Sequence, residues 1–92
     1  MKVTVKTFAT LRELFGGTGV LVLQLPENSS VRDLIDALRH RITRASVLKD
    51  LENPNSSVKV LVNGREITYL KGLETELRDG DVVAIIPPVA GG

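Results

Sequence analysis

The stretch "PPVAGG" at the C-terminus has the composition best suited to chemistry on another protein. Gly91 and Gly92 lack a β-carbon, so an extended tail ending in them can pass through a channel too narrow for side chains. The Gly92 carboxylate is then the reactive group that the tail delivers. Pro87 and Pro88 restrict the backbone and hold the tail away from the rest of the chain, and Val89 is available to contact a channel wall. We therefore predict that this tail reacts inside the active site of a partner.

The rest of the composition excludes several kinds of site. The sequence has no cysteine, which excludes a thiol nucleophile, a disulfide and a thiolate metal site. Its one histidine, His40, cannot form a metal cluster by itself. Asp79-Gly80-Asp81 lacks the ligand spacing of a calcium loop and is interpreted as a turn before a strand. We therefore expect the chain to bind no metal and no cofactor of its own.

The charge and the apolar runs bear on partners and location. Lys and Arg number 12 against 11 Asp and Glu, a formal net charge of +1. Such a balance does not favour nucleic-acid binding, which normally requires a basic patch. The longest apolar run is too short to cross a bilayer, and the alternating start "MKVTVKTF" does not resemble a secretion signal. We expect a cytoplasmic protein with neither nucleic acid nor membrane as a partner.

The tail must be positioned by a folded domain, and the spacing of apolar residues predicts its elements. Alternation and β-branched residues predict four strands, at 2–8, 20–25, 58–62 and 82–86. Asn63-Gly64 is a strong signal for a tight turn after the third strand, and the "REI" that follows it is a short strand or turn.

One segment has helical spacing. Ser30 and Asp33 are placed to cap a helix N-terminus, as in a variant of the capping box. The apolar residues after the cap recur at i, i+3, i+4, i+7 and i+11, which gives one stripe for burial: Val31, Leu34, Ile35, Leu38 and Ile42.

This order, ββαββ with a single main helix, predicts an α+β fold with the helix packed on one face of a mixed sheet of four to five strands. By analogy with known folds, it suggests the β-grasp, or ubiquitin-like, arrangement. The first and last strands would then lie parallel and adjacent at the centre of the sheet. We predict a β-grasp domain at 1–86 and a flexible C-terminal tail at 87–92.

The sheet face opposite the helix should be polar, but four of its predicted residues are apolar. Strand parity places Phe8, Leu61, Ala84 and Ile86 on that face. Scattered apolar surface residues are ordinary, and strand curvature or a covering loop would bury Phe8. A contiguous exposed apolar area more often marks an interface. We therefore predict that these residues bind a partner, at the base of the tail.

Three stretches carry a resemblance to a known family over essentially the whole chain. They are "FATLREL" (8–14), "LVNGREI" (61–67) and above all "LRDGDVVAIIPPVAGG" (77–92). With these stretches the chain resembles the MoaD/ThiS family of ubiquitin-like sulfur carriers. It is most similar to the branch of the molybdopterin synthase small subunit, in its archaeal form, which overlaps with the small archaeal ubiquitin-like modifiers.

The resemblance implies a carrier that is not an enzyme alone but works within the molybdopterin synthase complex. A ubiquitin-activating-like adenylyltransferase, using ATP and Mg, would adenylate Gly92. A persulfide sulfur donor would then convert the adenylate to a thiocarboxylate. Gly92 would finally donate this sulfur, inside the large subunit of molybdopterin synthase, to the dithiolene of the molybdenum cofactor.

Three other functions stay open at this point. Activated Gly92 could instead form an isopeptide bond with substrate-protein lysines, which makes the chain a protein modifier. Its sulfur could serve thiamine synthesis or tRNA thiolation, although Pro87-Pro88 fits the thiazole carriers less well. Finally, the chain could be a β-grasp interaction domain in which the Gly-Gly ending has no chemical role.

Overall fold

The computed structural model describes residues 1–7, 19–40 and 58–86. These form five strands, one α-helix and two short 3-10 turns. The strands and the helix are β1 Lys2–Thr7, β2 Val20–Gln24, α1 Val31–Leu38, β3 Lys59–Val62, β4 Arg65–Glu66 and β5 Val82–Ile86.

The strands form one mixed sheet in the order β2-β1-β5-β3-β4. β1 and β5 run parallel at its centre, with Val5 opposite Val83, while the β1–β2, β3–β5 and β3–β4 pairs are antiparallel. A parallel pair needs a long connection, and the chain from β2 through β4 supplies it. The predicted adjacency of the first and last strands, and with it the β-grasp arrangement, is confirmed.

The core lies between α1 and one face of the sheet. Alternate residues of each strand face the helix, because side chains on successive strand residues point to opposite faces. Val3, Val5 and Val83 are completely buried in this layer. The helix contributes the first four members of the predicted stripe, Val31, Leu34, Ile35 and Leu38. Ile42, the fifth, lies outside the described residues.

The helix begins where the sequence predicted it. The Asp33 backbone N–H donates to Ser30 Oγ at 3.4 Å, and the Ser30 backbone N–H donates to Asp33 Oδ2 at 2.8 Å. This reciprocal pair is a capping box that satisfies two amide donors at the first turn. The predicted cap is confirmed.

Two turns hold the central strands in register. Asn63 and Gly64 both have positive φ, at 50° and 86°, as a type I′ hairpin turn requires. The Val82 backbone N–H donates to Asn63 Oδ1 at 3.0 Å, which joins this turn to the start of β5. The Asp79 Oδ1 accepts from the Lys2 backbone N–H at 2.7 Å, and Asp81 Oδ2 accepts from the Arg78 backbone N–H at 2.8 Å. Both aspartates therefore serve as turn residues, as predicted.

Several predicted boundaries differ from the structure. β3 begins at Lys59 and not at residue 58, and β2 ends at Gln24, although Leu25 still exchanges two hydrogen bonds with Met1. The connector after β4 contains the 3-10 turns Ile67–Tyr69 and Gly72–Glu74, for which the sequence offered no periodicity. β1 is described to Thr7, and Phe8 lies outside the described residues.

Candidate functional site

The sheet face opposite α1, called the outer face below, carries the apolar residues predicted to bind a partner. Leu61 on β3 lies directly opposite Ala84 on β5. Ile86, two residues further along β5, faces the same way, and so does Val82 at its start. All four side chains are half-buried, whereas their strand neighbours Val60, Val62, Val83 and Ile85 belong to the core. We call Leu61, Val82, Ala84 and Ile86 the apolar patch.

Basic side chains flank the apolar patch. Lys6 on β1 is exposed and lies beside Ala84, and Lys59 on β3 lies opposite Ile86. The Lys59 Nζ is 3.6 Å from Glu66 Oε1 on β4, with both side chains partly exposed. An exposed pair of this kind contributes little to stability. The patch therefore combines an apolar centre with a mainly positive border, a surface suited to a partner with apolar and acidic groups.

The patch lies at the base of the predicted tail. Ile86 is the last residue of β5. Thr7, the last residue of β1, is aligned with Ile85. Three of the predicted partner-binding residues, Leu61, Ala84 and Ile86, are therefore brought together at this end of the sheet. Phe8 and the tail residues Pro87, Pro88, Val89, Gly91 and Gly92 lie outside the described residues, so their roles stay predictions.

The sequence reasoning missed part of the outer face. The parity that places Ala84 and Ile86 outward also places Val82 there, but Val82 was not counted with the residues predicted to bind a partner. Val20 and Val22 on β2 are 50% and 48% exposed. Val22 lies opposite Thr4, which lies opposite Val82, so these side chains form a row across three strands. The alternation in "VLVLQ", with leucines inward, was sufficient to find them.

Tyr69 and Leu70, in the connector after β4, are also exposed, Tyr69 by 84%. No strand or helix periodicity covers these two residues, so parity could not place them. They lie outside the apolar patch as the sequence and the structure define it.

Comparison with known protein families covers both the apolar patch and the predicted tail. The sequence pattern of the ThiS family matches residues 5–92, a range that includes every strand of the patch and the Gly91-Gly92 ending. The chain belongs to the ThiS family.

Three relatives of this ThiS-family chain have informative names. Small archaeal modifier protein 3 of Haloferax volcanii is 35% identical over 94 residues, covering 100% of both chains. The molybdopterin synthase sulfur carrier subunit of Mycobacterium tuberculosis is 33% identical and covers 100% of this chain and 99% of its own. A chain in the crystal structure of the Amycolatopsis orientalis BexX/CysO complex superposes with a TM-score of 0.77 and 31% identity, covering 98% of this chain and 99% of its own.

The ThiS-family chain is thus one of the sulfur carriers and ubiquitin-like small modifiers of the ThiS/MoaD group. Relatives in this group are named as carriers, modifiers or members of a complex, and not as catalysts. Within residues 1–7, 19–40 and 58–86, no three His, Asp or Glu side chains converge to hold a metal ion. No helix in those same ranges is long and apolar enough to span a membrane.

Proposed function

We propose that this ThiS-family chain is the sulfur carrier subunit of molybdopterin synthase, with the Gly92 carboxylate as its reactive group. The observation that carries the proposal is the position of the apolar patch. Its half-buried residues lie on the outer face, which no described helix or strand covers within residues 1–7, 19–40 and 58–86, and reach Ile86, the last residue before the PPVAGG tail. A partner bound to the patch would thereby receive the tail.

The chemistry at Gly92 proceeds in three steps. One carboxylate oxygen attacks the α-phosphate of ATP in the activating enzyme, and pyrophosphate leaves. The resulting acyl adenylate has a good leaving group, which a carboxylate lacks, so the single difficult substitution is divided into two easier ones. The terminal sulfur of a persulfide then attacks the carbonyl carbon and AMP leaves. A second thiol cleaves the sulfur–sulfur bond, which yields the thiocarboxylate and a disulfide.

The chain's own contribution is docking and delivery. The apolar patch loses water on contact with a partner, which favours binding by about 25 cal/mol per Å² of apolar surface covered. Lys6 and Lys59 at the border of the patch select a partner with acidic groups around an apolar centre. On this proposal, the adenylyltransferase and the large subunit of molybdopterin synthase dock on the same patch in turn. ATP and Mg belong to the adenylyltransferase.

A second function is favoured by the full-length similarity to a protein named as a small archaeal modifier. In that function, a substrate lysine attacks the activated Gly92 and forms an isopeptide bond. The patch, tail and adenylation step serve both functions equally, since they differ only in the nucleophile that follows. Sulfur transfer to thiamine synthesis or tRNA thiolation uses the same thiocarboxylate with a different acceptor.

Intact-mass spectrometry and a Gly92 deletion test the proposal. We expect incubation with the activating enzyme, ATP and a persulfide donor to increase the mass of the chain by about 16 Da, because one sulfur replaces one oxygen of the Gly92 carboxylate by way of the acyl adenylate. In cells, deletion of Gly92 should abolish molybdoenzyme activity. An unchanged mass in the complete reaction would contradict sulfur carriage. Loss of lysine conjugates with molybdoenzyme activity retained would assign the chain to modification instead.

A further inference from the structure

Apolar side chains on the outer face continue beyond the apolar patch. Lys6 on β1 lies between Ala84 on β5 and Val20 on β2. The same row continues from Ala84 to Leu61 on β3. Val22, two residues further along β2, faces the same way as Val20. Val20 and Val22 are 50% and 48% exposed, more than any member of the half-buried patch. Apolar side chains therefore lie on both sides of Lys6.

The apolar patch alone is small for an interface. Each partner contributes about 800 Å² to an interface of standard size, which corresponds to a footprint roughly 30 Å across. The half-buried side chains of the patch expose only a fraction of that area. Neighbouring strands lie about 4.8 Å apart, so β2 is only about 12 Å from the midpoint between β5 and β3. A partner centred on the apolar patch would therefore also cover the two valines of β2.

The two lysines beside the apolar patch differ in charge pairing. Lys59 Nζ is 3.6 Å from Glu66 Oε1, which also accepts a hydrogen bond of 2.9 Å from Thr68 Oγ1. Lys59 therefore carries a counter-charge with it into any interface. No carboxylate of residues 1–7, 19–40 and 58–86 forms an ion pair with Lys6. The Lys6 side chain is exposed and solvated by water, so a partner that covers it must supply the negative charge.

The surroundings of Lys6 decide what kind of acidic group fits. Burial of an unpaired ammonium group is strongly unfavourable, whereas an ammonium group that is paired with a carboxylate is tolerated. The methylene stem of a lysine can pack along apolar neighbours while its charged end meets a partner. With Val20 on one side of Lys6 and Ala84 on the other, the complementary surface is a carboxylate set among apolar groups.

We propose that the adenylyltransferase docks across both the apolar patch and the valines of β2, and that a carboxylate of the enzyme pairs with Lys6 between them. This inference rests on the proposed function, because it concerns the same outer face. The adenylyltransferase is the occupant because the carrier and modifier functions both require adenylation of Gly92. Ala84, beside Lys6, lies two residues before Ile86, so the ion pair fixes the enzyme close to the point where the predicted tail begins.

Titration calorimetry with the adenylyltransferase, in the absence of ATP, tests the role of Lys6. Lys6→Met keeps an apolar stem but removes the charge, and it should raise the dissociation constant at least about tenfold, because the carboxylate of the enzyme is left unpaired. Lys6→Arg keeps the charge and should stay within about threefold of the unmodified protein, since arginine also forms charge-assisted hydrogen bonds with carboxylates.

Lys2→Met is the matched control for Lys6→Met. Lys2 lies on the same face of β1, about 13 Å from Lys6 and beside Gln24, at the end of the sheet away from Ile86. The substitution removes the same charge from the same strand. It should leave the dissociation constant within about twofold, because a charge at or beyond the rim of an interface contributes little to affinity.

Val22→Thr tests the apolar part of the extended surface on β2. Threonine has nearly the shape of valine, and both residues favour strands, so the variant should fold normally, which its melting temperature checks. The new hydroxyl loses water when the enzyme covers it. Without a hydrogen bond in return, this should raise the dissociation constant at least about fivefold.

Several results would overturn the proposal. Equal weakening by Lys6→Met and Lys2→Met would show a general attraction of charge and not a specific pair. An unchanged dissociation constant for either Lys6→Met or Val22→Thr would show that the docking surface does not extend across β1. Weakened binding to the large subunit of molybdopterin synthase, with unchanged binding to the adenylyltransferase, would assign the extended surface to that other partner.

The mass of the unmodified protein separates failure of this inference from failure of the proposed function. If the unmodified protein gains the mass of the thiocarboxylate in the complete reaction while the variants bind normally, only the extended surface is refuted. If the unmodified protein neither binds the adenylyltransferase nor gains that mass, both proposals are refuted.

Discussion

Substitutions at two adjacent residues of β5 should have different effects: one at Ala84, which faces outward, should weaken partner binding, and one at Val83, which faces the core, should lower stability. Val83 is completely buried, and Ala84 is half-buried on the outer face beside Lys6. Ala84→Glu puts a carboxylate in the middle of the apolar patch. Val83→Ala removes two carbons from the core.

The expected magnitudes follow from these positions. Val83→Ala loses about 1.6 kcal/mol of transfer free energy plus a cavity term, or about 2–3 kcal/mol in total. For a chain of this length, that lowers the melting temperature by about 10–20 °C. Ala84→Glu opens no cavity and can pair with Lys6 across the strands, so its stability should change by less than about 1 kcal/mol. Covered by a partner, however, the new carboxylate is desolvated, which costs about 3 kcal/mol or roughly a hundredfold in affinity.

The assay combines thermal melting with the rate of thiocarboxylate formation, measured by intact mass at a carrier concentration well below saturation. We expect Ala84→Glu to melt within about 5 °C of the unmodified protein but to be activated roughly a hundredfold more slowly. Val83→Ala, measured below its own melting temperature, should be activated at a near-normal rate. Equal loss of melting temperature in both variants would refute the assignment of Ala84 to a surface. Normal activation of a folded Ala84→Glu would refute the docking role of the apolar patch.

Two further predictions concern stability. Thr7 is 4% exposed, and its hydroxyl has no hydrogen-bond partner among residues 1–7, 19–40 and 58–86. Thr7→Val should therefore raise the free energy of unfolding in urea by about 1–2 kcal/mol. Thr4→Val, on the outer face of the same strand, should change it little, and a lower value for Thr7→Val would mean that the hydroxyl is satisfied. Ser30→Ala removes the side-chain acceptor of the capping box and should destabilise the protein by about 1 kcal/mol, which lowers the melting temperature by about 4–8 °C. Ser30→Gly should cost only about a few tenths of a kcal/mol. Equal melting temperatures for the unmodified protein and Ser30→Ala would show that the cap contributes nothing.

Local patterns were enough to predict the helix, four of the five strands and the faces of the residues in β1, β3 and β5 that the structure describes. Alternation in β1, β3 and β5 separated the buried Val5, Val60 and Val83 from the outward Leu61 and Ala84. The cap at Ser30 and the turn at Asn63-Gly64 were also identified, because both depend on side-chain and backbone chemistry within a few residues. The β-grasp order required analogy with known folds, since no periodicity specifies which strands pair.

The candidate site was only partly predictable. Leu61 and Ala84 are 23 positions apart along the chain, and their outward orientation followed from parity. Their direct opposition depends on the register between β3 and β5, which the Asn63 side chain helps to hold through its bonds to β5 and to Asp81. Sequence reasoning overlooked Val20 and Val22 because the parity argument was not applied to β2, although its alternation was sufficient to place both valines on the outer face.

The sequence by itself determined which side of each strand is apolar and where the helix starts, and it is the basis of the prediction that the glycine-rich ending is a reactive tail. These properties depend on residue type and on short-range geometry, which the order of the amino acids specifies directly. Tertiary structure alone decided which apolar side chains become neighbours, which strand remains at an edge and how much of each side chain is exposed. Those properties arise from contacts between distant residues, such as the hydrogen bond from Lys2 to Asp79 across 77 positions, and they exist only when the whole sheet is assembled. The tail was thus predicted from its residues, whereas the direct opposition of Leu61 and Ala84 in the apolar patch required the fold.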